Sequence, residues 1–199
     1  MPASLSVPVL PPPDREEIFR YMRCPRPDAA VEKLIDTCLD TALPLLSPRV
    51  AFAVFPVKKT ANGVCFPFGT WESRSLQEHL AGCEKALLFG ATLGVGLDRL
   101  IARSGVDAAA AFCCQAIGTE RVEALCDVFC DEQKAVWAAA GCVLTDRFSP
   151  GYGDWPLTAQ ADVFRFLELP RIGLTLNESF IMSPSKSVTA IVGIRGKER

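Results

Sequence analysis

The chain has 199 residues, of which 49% are hydrophobic and 22% are charged, a balance that suits one domain with a substantial core. The formal net charge of -2 leaves no excess of positive charge to hold a phosphate backbone or an anionic membrane surface, so we expect no nucleic-acid partner and no membrane partner. No apolar run reaches about 18 residues, and the N-terminus lacks the basic-then-apolar order of a signal peptide. We therefore expect a cytoplasmic protein.

The nine cysteines do not form a recognisable disulfide or metal pattern. Their number is odd and no Cys-x-x-Cys pair occurs, whereas zinc and iron-sulfur sites use such pairs. Cys113 and Cys114 are adjacent, and Cys126 and Cys130 are one helical turn apart. We expect reduced thiols that pack as small hydrophobic side chains. A thiol redox protein built on these two pairs stays open as an alternative.

The N-terminal half of the chain predicts an arm followed by mixed helices and strands. Residues 1–13 contain three consecutive prolines and show no periodicity, so they are predicted to form an extended arm, with one folded domain over residues 14–199. The predicted elements, in chain order, are a helix over residues 14–22, a helix capped by Asp28, a strand over 49–57, a hairpin turn at Ala61-Asn62-Gly63, a helix opened by a capping box at Ser75 and stopped at Gly82, a strand over 86–91 and a helix over 95–102.

A long central helix is predicted over residues 107–140, because this segment has no proline, is rich in alanine and places apolar residues at helical spacing. Further on, the pattern predicts a strand near 142–145, a helix over 156–167 and strands near 172–176 and 187–194. Strands and helices do not alternate regularly. We therefore predict an α+β fold, a single domain with a mixed or antiparallel twisted sheet packed with helices.

The segment from Arg147 to Pro156 is the densest functional signal. Two glycines and two prolines within ten residues indicate a loop of fixed turns that holds the guanidinium of Arg147 and the phenol of Tyr152 near accessible backbone. Such a loop is a plausible ligand cradle. The alternative is a structural loop in which Tyr152 and Trp155 fill the core.

This segment resembles the activation domain of cobalamin-dependent methionine synthase. That domain carries an Arg-x-x-x-Gly-Tyr motif, followed shortly by a proline, and Arg147, Gly151, Tyr152 and Pro156 match it. Small free-standing relatives of the domain are similar over Ser149–Leu157. They are also similar over residues 172–176 and 182–190, and the resemblance extends weakly back to Glu16 through residues 91–94.

The resemblance implies that S-adenosylmethionine is the ligand. Arg147 would then pair with its carboxylate, and main-chain groups at Ser149 and Gly151 would reach the adenine or the ammonium group. Tyr152 would offer an aromatic face and a hydroxyl near the positive end of the ligand, and Glu123 on the long helix would contact the ammonium group. The resemblance implies neither a catalytic side chain nor a metal ligand.

The sequence also departs from the family pattern. After its counterpart of residues 187–194 the family domain continues with a stretch that includes an aromatic residue near the ligand, whereas this sequence ends at Arg199. Part of the pocket is therefore expected to be absent. A cysteine before the motif proline is Trp155 here, and a histidine after that proline has no counterpart.

The function implied by the resemblance is that of an accessory protein. It would bind S-adenosylmethionine and support reductive remethylation, or reactivation, of a cobalamin-dependent methionine synthase that lacks its own activation domain, as part of a methyltransferase system. Cobalamin would be carried by the partner, which is that enzyme or another corrinoid protein, and electrons would come from a flavodoxin-like or other donor. The alternative is a non-catalytic interaction module that docks onto a corrinoid protein without binding S-adenosylmethionine.

Three further features have simpler interpretations. His79 stands in a near match to the Asp-x-His-x-x-Gly motif of cobalamin carriers that lacks the aspartate, so we expect a surface or half-buried helical histidine. Gly94 and Gly96 lie between a strand and a helix without a phosphate-loop pattern and are expected to serve a tight turn. Lys186 is expected to be solvated.

Overall fold

The computed structural model of the chain describes residues 3–103 and 107–196. Its elements, in chain order, are β1 (Ser4–Ser6), α1 (Arg15–Tyr21), α2 (Ala29–Ala42), β2 (Arg49–Pro56), β3 (Lys58–Lys59), β4 (Val64–Phe66), β5 (Gly69–Trp71), α3 (Arg74–His79), β6 (Lys85–Thr92), α4 (Gly96–Arg103), α5 (Ala108–Ala139), β7 (Cys142–Leu144), α6 (Gln160–Leu167), β8 (Thr175–Leu176), β9 (Met182–Ser183) and β10 (Ser187–Gly196).

The main sheet has five antiparallel strands in the order β1-β2-β6-β10-β7. The central strand β6 is buried at every residue after Lys85, because both of its faces are covered. One face packs against α5, and the other packs against α6 and the small sheet β3-β4-β5. Gly90 permits this close packing, since a Cβ at that position would lie 2.6 Å from the side chain of Leu169.

Helices α1, α2 and α4 form a third layer against the N-terminal half of α5. The main sheet packs against the following part of α5, from Val122 to Cys130, so successive parts of this helix bury apolar residues against different layers. Gly118 lets α4 approach, because a Cβ there would lie 2.4 Å from Leu97. The predicted α+β fold with a long central helix is confirmed, and the sheet pairings are antiparallel.

Two local predictions are wrong. Helix α3 is capped by Ser73, whose hydroxyl accepts from the Leu76 N–H, and not by the predicted box at Ser75. The predicted strand over residues 172–176 is shorter, because residues 169–172 form a 3₁₀ turn that contains Pro170. Gly173, at φ 86°, ends that turn, and only Thr175–Leu176 is extended.

The N-terminal segment is extended and is attached to the domain at two places. Ser4–Ser6 pairs with β2 as an edge strand, and Arg121 of α5 donates to the carbonyl oxygens of Pro11 and Pro12. Arg121 is 2% exposed and pairs with Glu120, which is 5% exposed. Folded structure therefore begins ahead of the predicted start near Asp14.

All nine cysteines are free thiols, and six of them are buried. Burial raises the pKa of Cys126 to about 12 and that of Cys130 to about 11, which suppresses the thiolate needed for redox exchange at neutral pH. The residues that the structure describes contain no group of three or more His, Cys, Asp or Glu side chains that could hold a metal ion. No helix in the same residues combines the length and the apolar character needed to cross a bilayer.

Candidate functional site

A cleft of about 450 Å³ lies beside the loop formed by residues 147–156, which we call the motif loop. Helix α5 contributes one wall of the cleft, and α6 and the beginning of β10 contribute another. The volume is within the range of about 300–1,000 Å³ that is typical of small-molecule sites. The lining residues are Glu123, Arg147, Phe148, Ser149, Pro150, Tyr152, Gln160, Met182, Ser187, Val188 and Thr189.

The motif loop begins where the chain leaves the main sheet. Phe148 exchanges both main-chain hydrogen bonds with Ile191 of β10, at 3.0 and 2.8 Å, and the chain turns away at the next residue. The turn is closed by the Gly151 N–H, which donates to the Trp155 carbonyl at 2.8 Å. Gly151 has a φ of 96°, which favours glycine. Its N–H therefore serves the turn, and the residue itself does not line the cleft.

Trp155 anchors the motif loop in the core. It is 1% exposed, its ring lies 5.1 Å from that of Trp71, and it stacks on Phe148 at 5.9 Å. His79 stacks on Phe148 as well, at 5.0 Å. Tyr152, by contrast, is 66% exposed. The structural interpretation of the loop is thus correct for Trp155 and wrong for Tyr152.

Asp154 ties the motif loop to the first turn of α3. Its carboxylate accepts from the Ser73 hydroxyl at 2.6 Å and from the N–H groups of Arg74 and Ser75 at 2.8 and 3.0 Å. These hydrogen bonds, the one from Ser73 foremost, hold the pKa of the Asp154 carboxyl well below its usual range. Gly153 permits the contact, because its φ is 57° and a Cβ would lie 2.4 Å from the Ser75 hydroxyl oxygen.

Arg147 lies at the edge of the cleft between two carboxylates of α5. Its Nη2 atom is 2.9 Å from Glu123 Oε2 and 3.0 Å from Asp127 Oδ1. Glu123 and Asp127 are four residues apart, so one face of the helix presents both. The other terminal nitrogen, Nη1, is buried and has no hydrogen-bond partner among residues 3–103 and 107–196. A buried unpaired donor is costly and indicates a place where a ligand could accept.

His79 packs against the motif loop through the ring of Phe148. It is half-buried, as predicted, and its Nε2 atom lies 3.1 Å from the Thr145 hydroxyl. Burial lowers the pKa of His79, and the carbonyl oxygen and the charge of Asp146 offset part of that effect. The imidazole is thus a packing group between Phe148 and Thr145.

Two further expectations had different outcomes. Gly94 has a φ of 79°, and a Cβ on Gly96 would lie 2.3 Å from the Leu45 carbonyl oxygen, so both glycines serve the tight turn as predicted. The expectation of a solvated Lys186 is wrong. Its ammonium group lies 3.1 Å from the Thr119 hydroxyl, and burial lowers its pKa.

Four of the five residues named from the sequence, Glu123, Arg147, Ser149 and Tyr152, line the same cleft. Their roles toward a ligand stay predictions. Sequence reasoning missed four polar residues of the site, namely Asp127, Gln160, Ser187 and Thr189. The spacing of Asp127 from Glu123 on a predicted helix was a usable signal, whereas Gln160 and Thr189 meet only through the tertiary fold.

Comparisons with known proteins identify a fold and no sequence family. No protein-family model matches the chain, and no curated protein matches it. Among solved structures the chain is similar to the crystal structure of the MetH reactivation domain bound to AdoHcy. The TM-score is 0.66 at 16% sequence identity, and the match covers 94% of this chain and 75% of that one. The chain has the fold of the MetH reactivation domain.

Proposed function

We propose that this protein binds S-adenosylmethionine in the motif-loop cleft and supports reductive remethylation of a cobalamin-dependent methionine synthase that lacks its own activation domain. The observation that carries the proposal is Arg147, which lines a ligand-sized cleft and keeps a buried Nη1 atom without a hydrogen-bond partner in the described residues. A guanidinium binds a carboxylate through two parallel hydrogen bonds. The shared fold adds support, because the solved MetH domain is bound to AdoHcy.

The charges of the cleft suit this ligand. S-adenosylmethionine carries a carboxylate, an ammonium group and a sulfonium, so its net charge is positive. Arg147 supplies one positive charge, and Glu123 and Asp127 supply two negative charges beside it. The carboxylate of the ligand would meet Nη1, while its ammonium group would meet Glu123. Tyr152 is exposed at the mouth and offers an aromatic face toward a cation.

The contribution of this chain would be to position the ligand. Bound S-adenosylmethionine supplies an electrophilic methyl group, and the cleft would present that group to the cobalamin of the partner. The motif loop is suited to this role, because Trp155 and Asp154 fix it to the core and to α3. Electrons would come from an external flavodoxin-like or other donor.

One observation favours the alternative function. The Nη2 atom of Arg147 is already satisfied by Glu123 and Asp127, at 2.9 and 3.0 Å. In an interaction module that docks onto a corrinoid protein without binding the nucleotide, this ion-pair network would serve only to hold the motif loop against α5. The two functions differ in whether a ligand must reach Nη1.

Titration calorimetry with S-adenosylmethionine and S-adenosylhomocysteine tests the binding step. Wild-type protein is expected to bind both ligands, and Arg147→Lys, which keeps the charge and loses the paired donors, is expected to bind about ten-fold or more weakly. Arg171→Lys is the matched control, because Arg171 is an exposed arginine that pairs with Glu168 away from the cleft. Absence of heat from wild-type protein, with and without a corrinoid partner, would exclude the binding proposal.

A reactivation assay tests the accessory role. Oxidised methionine synthase without its activation domain is mixed with a chemical reductant, S-adenosylmethionine and either wild-type protein or Arg147→Lys. The proposal predicts recovery of turnover with wild type and little recovery with the variant. Equal capture of the corrinoid partner by both proteins, without recovery by either, would instead support the interaction module.

A further inference from the structure

The inner wall of the cleft contains an open edge of the main sheet. In β10, Ile191 bonds to Phe148, and the Gly193 carbonyl accepts from the Thr145 N–H at 2.9 Å. Main-chain groups of alternate residues in an antiparallel strand point to the same neighbour, so those of Thr189 point to this side as well. The chain has turned away there into the motif loop, and the cleft occupies the space beside Thr189.

A buried amide lies next to this edge. Gln160 is 5% exposed and Thr189 is 3% exposed, and both line the cleft. The Thr189 hydroxyl donates to Gln160 Oε1 at 2.7 Å, and Gln160 Nε2 donates to the Phe180 carbonyl at 3.3 Å. Within the described residues each amide atom has one partner, so one N–H and one oxygen lone pair of Gln160 are uncommitted.

The neighbours also fix which way the amide faces. The Phe180 carbonyl can only accept, so a flipped Gln160 would place one carbonyl oxygen against another. Gln160 therefore presents a donor and an acceptor in a fixed order, at nearly complete burial. An amide of this kind recognises an adenine edge, where an amino donor lies beside a ring-nitrogen acceptor.

We infer that Gln160, held by Thr189 and the Phe180 carbonyl, recognises the base of the nucleoside ligand and selects adenine over bases with the reverse donor and acceptor order. The inference rests on the proposed function and adds to it a residue that recognises the base of the ligand. Arg147 would hold the amino-acid end, and Gln160 would hold the base. Hypoxanthine is the informative competitor, because it replaces the amino donor with a carbonyl acceptor and protonates the adjacent ring nitrogen.

The test compares the dissociation constants of S-adenosylhomocysteine and S-inosylhomocysteine by calorimetry. Wild-type protein is expected to prefer the adenosyl ligand by about ten-fold or more, as for a bidentate amide contact. Gln160→Met, which keeps the volume and removes the amide, is expected to bring the ratio close to one. Arg147→Lys is the control, since it is expected to weaken both ligands equally and leave the ratio unchanged.

The ratio separates recognition from a merely structural role. If Gln160→Met binds both ligands more weakly but keeps the wild-type ratio, or if wild type itself shows a ratio near one, the inference is wrong while the proposed function stands. If wild type binds neither ligand, both fail. Should Gln160→Met not fold, Thr189→Val provides the second variant, because it removes one of the two contacts that hold the amide and is expected to lower the ratio without removing Gln160.

Discussion

Replacement of Gly153 by alanine should loosen the motif loop through two separable effects. The φ of 57° at this position is unfavourable for a side chain, and a Cβ would lie 2.4 Å from the hydroxyl oxygen of Ser75 and 2.7 Å from its Cβ. The unfavourable φ is a conformational cost at residue 153 itself. The overlap with Ser75 is a steric cost, and it disturbs the contact between the motif loop and α3.

The size of each effect can be worked from the geometry. A left-handed conformation costs an alanine about 1–2 kcal/mol relative to glycine. The overlap with Ser75 is comparable to overpacking in a core, which costs about 1–3 kcal/mol, because the Cβ of Ser75 cannot rotate away. We therefore expect Gly153→Ala to lower the free energy of unfolding by about 2–5 kcal/mol. For a chain of this size the melting temperature should fall by roughly 5–15 °C.

Chemical denaturation followed by circular dichroism measures the loss, and two variants separate its causes. Ser75→Gly in the Gly153→Ala background removes the overlapping atoms and should restore about 1–3 kcal/mol, leaving the conformational part. Gly151→Ala is the matched control. Gly151 also has a positive φ, of 96°, but its added Cβ would meet nothing closer than Leu157, at 3.5 Å. It should show only the conformational cost.

Three results would refute this reasoning. Gly153→Ala could be as stable as wild type to within about 0.5 kcal/mol, which is the scatter of neutral surface substitutions. The second substitution at Ser75 could give no recovery. Gly151→Ala could cost as much as Gly153→Ala, which would mean that the overlap contributes nothing.

Four further predictions concern charged and titratable groups of the same structure. Because the folded-state pKa of Asp154 is lowered, its contribution to stability is present above the unfolded value near pH 4 and is lost as the pH falls below it, so Asp154→Asn should flatten the acid limb of a stability-pH profile. The pKa of His79 is lowered by burial, so wild type should lose stability as the pH falls below about 6.5, and His79→Gln should lose less in urea titrations at pH 8 and 5.5. Arg121→Met should cost about 3–5 kcal/mol in the same titrations because it leaves the Glu120 carboxylate buried without its cation, and adding Glu120→Gln should recover the part of the loss that comes from this charge but not the hydrogen bonds to Pro11 and Pro12. Glu123→Gln removes a negative charge from the cleft, so it should weaken binding of S-adenosylmethionine, which carries the sulfonium charge, by about two- to five-fold more than binding of S-adenosylhomocysteine at low salt. This difference should shrink in 0.5 M salt, as calorimetry would show.

Local sequence signals predicted the elements that depend on local chemistry. Asp28 caps its helix as expected, the long helix begins within one residue of its predicted start, and the turn at residues 61–63 joins β3 to β4. The cap of α3 was assigned to Ser75 because the spacing of a capping box is a local pattern. In the folded chain the N–H groups of Arg74 and Ser75 bond to Asp154, about 80 residues away in sequence. No local pattern contains that partner.

The candidate site, too, was predictable only where a local sequence pattern marks its residues. The motif identified Arg147 and Tyr152, and both line the cleft. Gln160, which we infer to hold the base, comes from α6, and Thr189, which holds Gln160, comes from β10, so their contact spans 29 positions of sequence. Each is an ordinary polar residue in an apolar context, so neither carries a signal until the sheet edge and the helix are brought together.

The structure divides the motif into residues that hold the loop and residues that face the cleft. Gly151, Gly153 and Trp155 belong to the first group, since their backbone angles and burial shape the turn, whereas Arg147 and Tyr152 belong to the second. A match to the motif cannot separate the groups, because a protein that kept only the fold would retain the first. Ligand binding is therefore tested by substitutions in the second group, and above all at Arg147, whose buried Nη1 atom has no hydrogen-bond partner within the described chain.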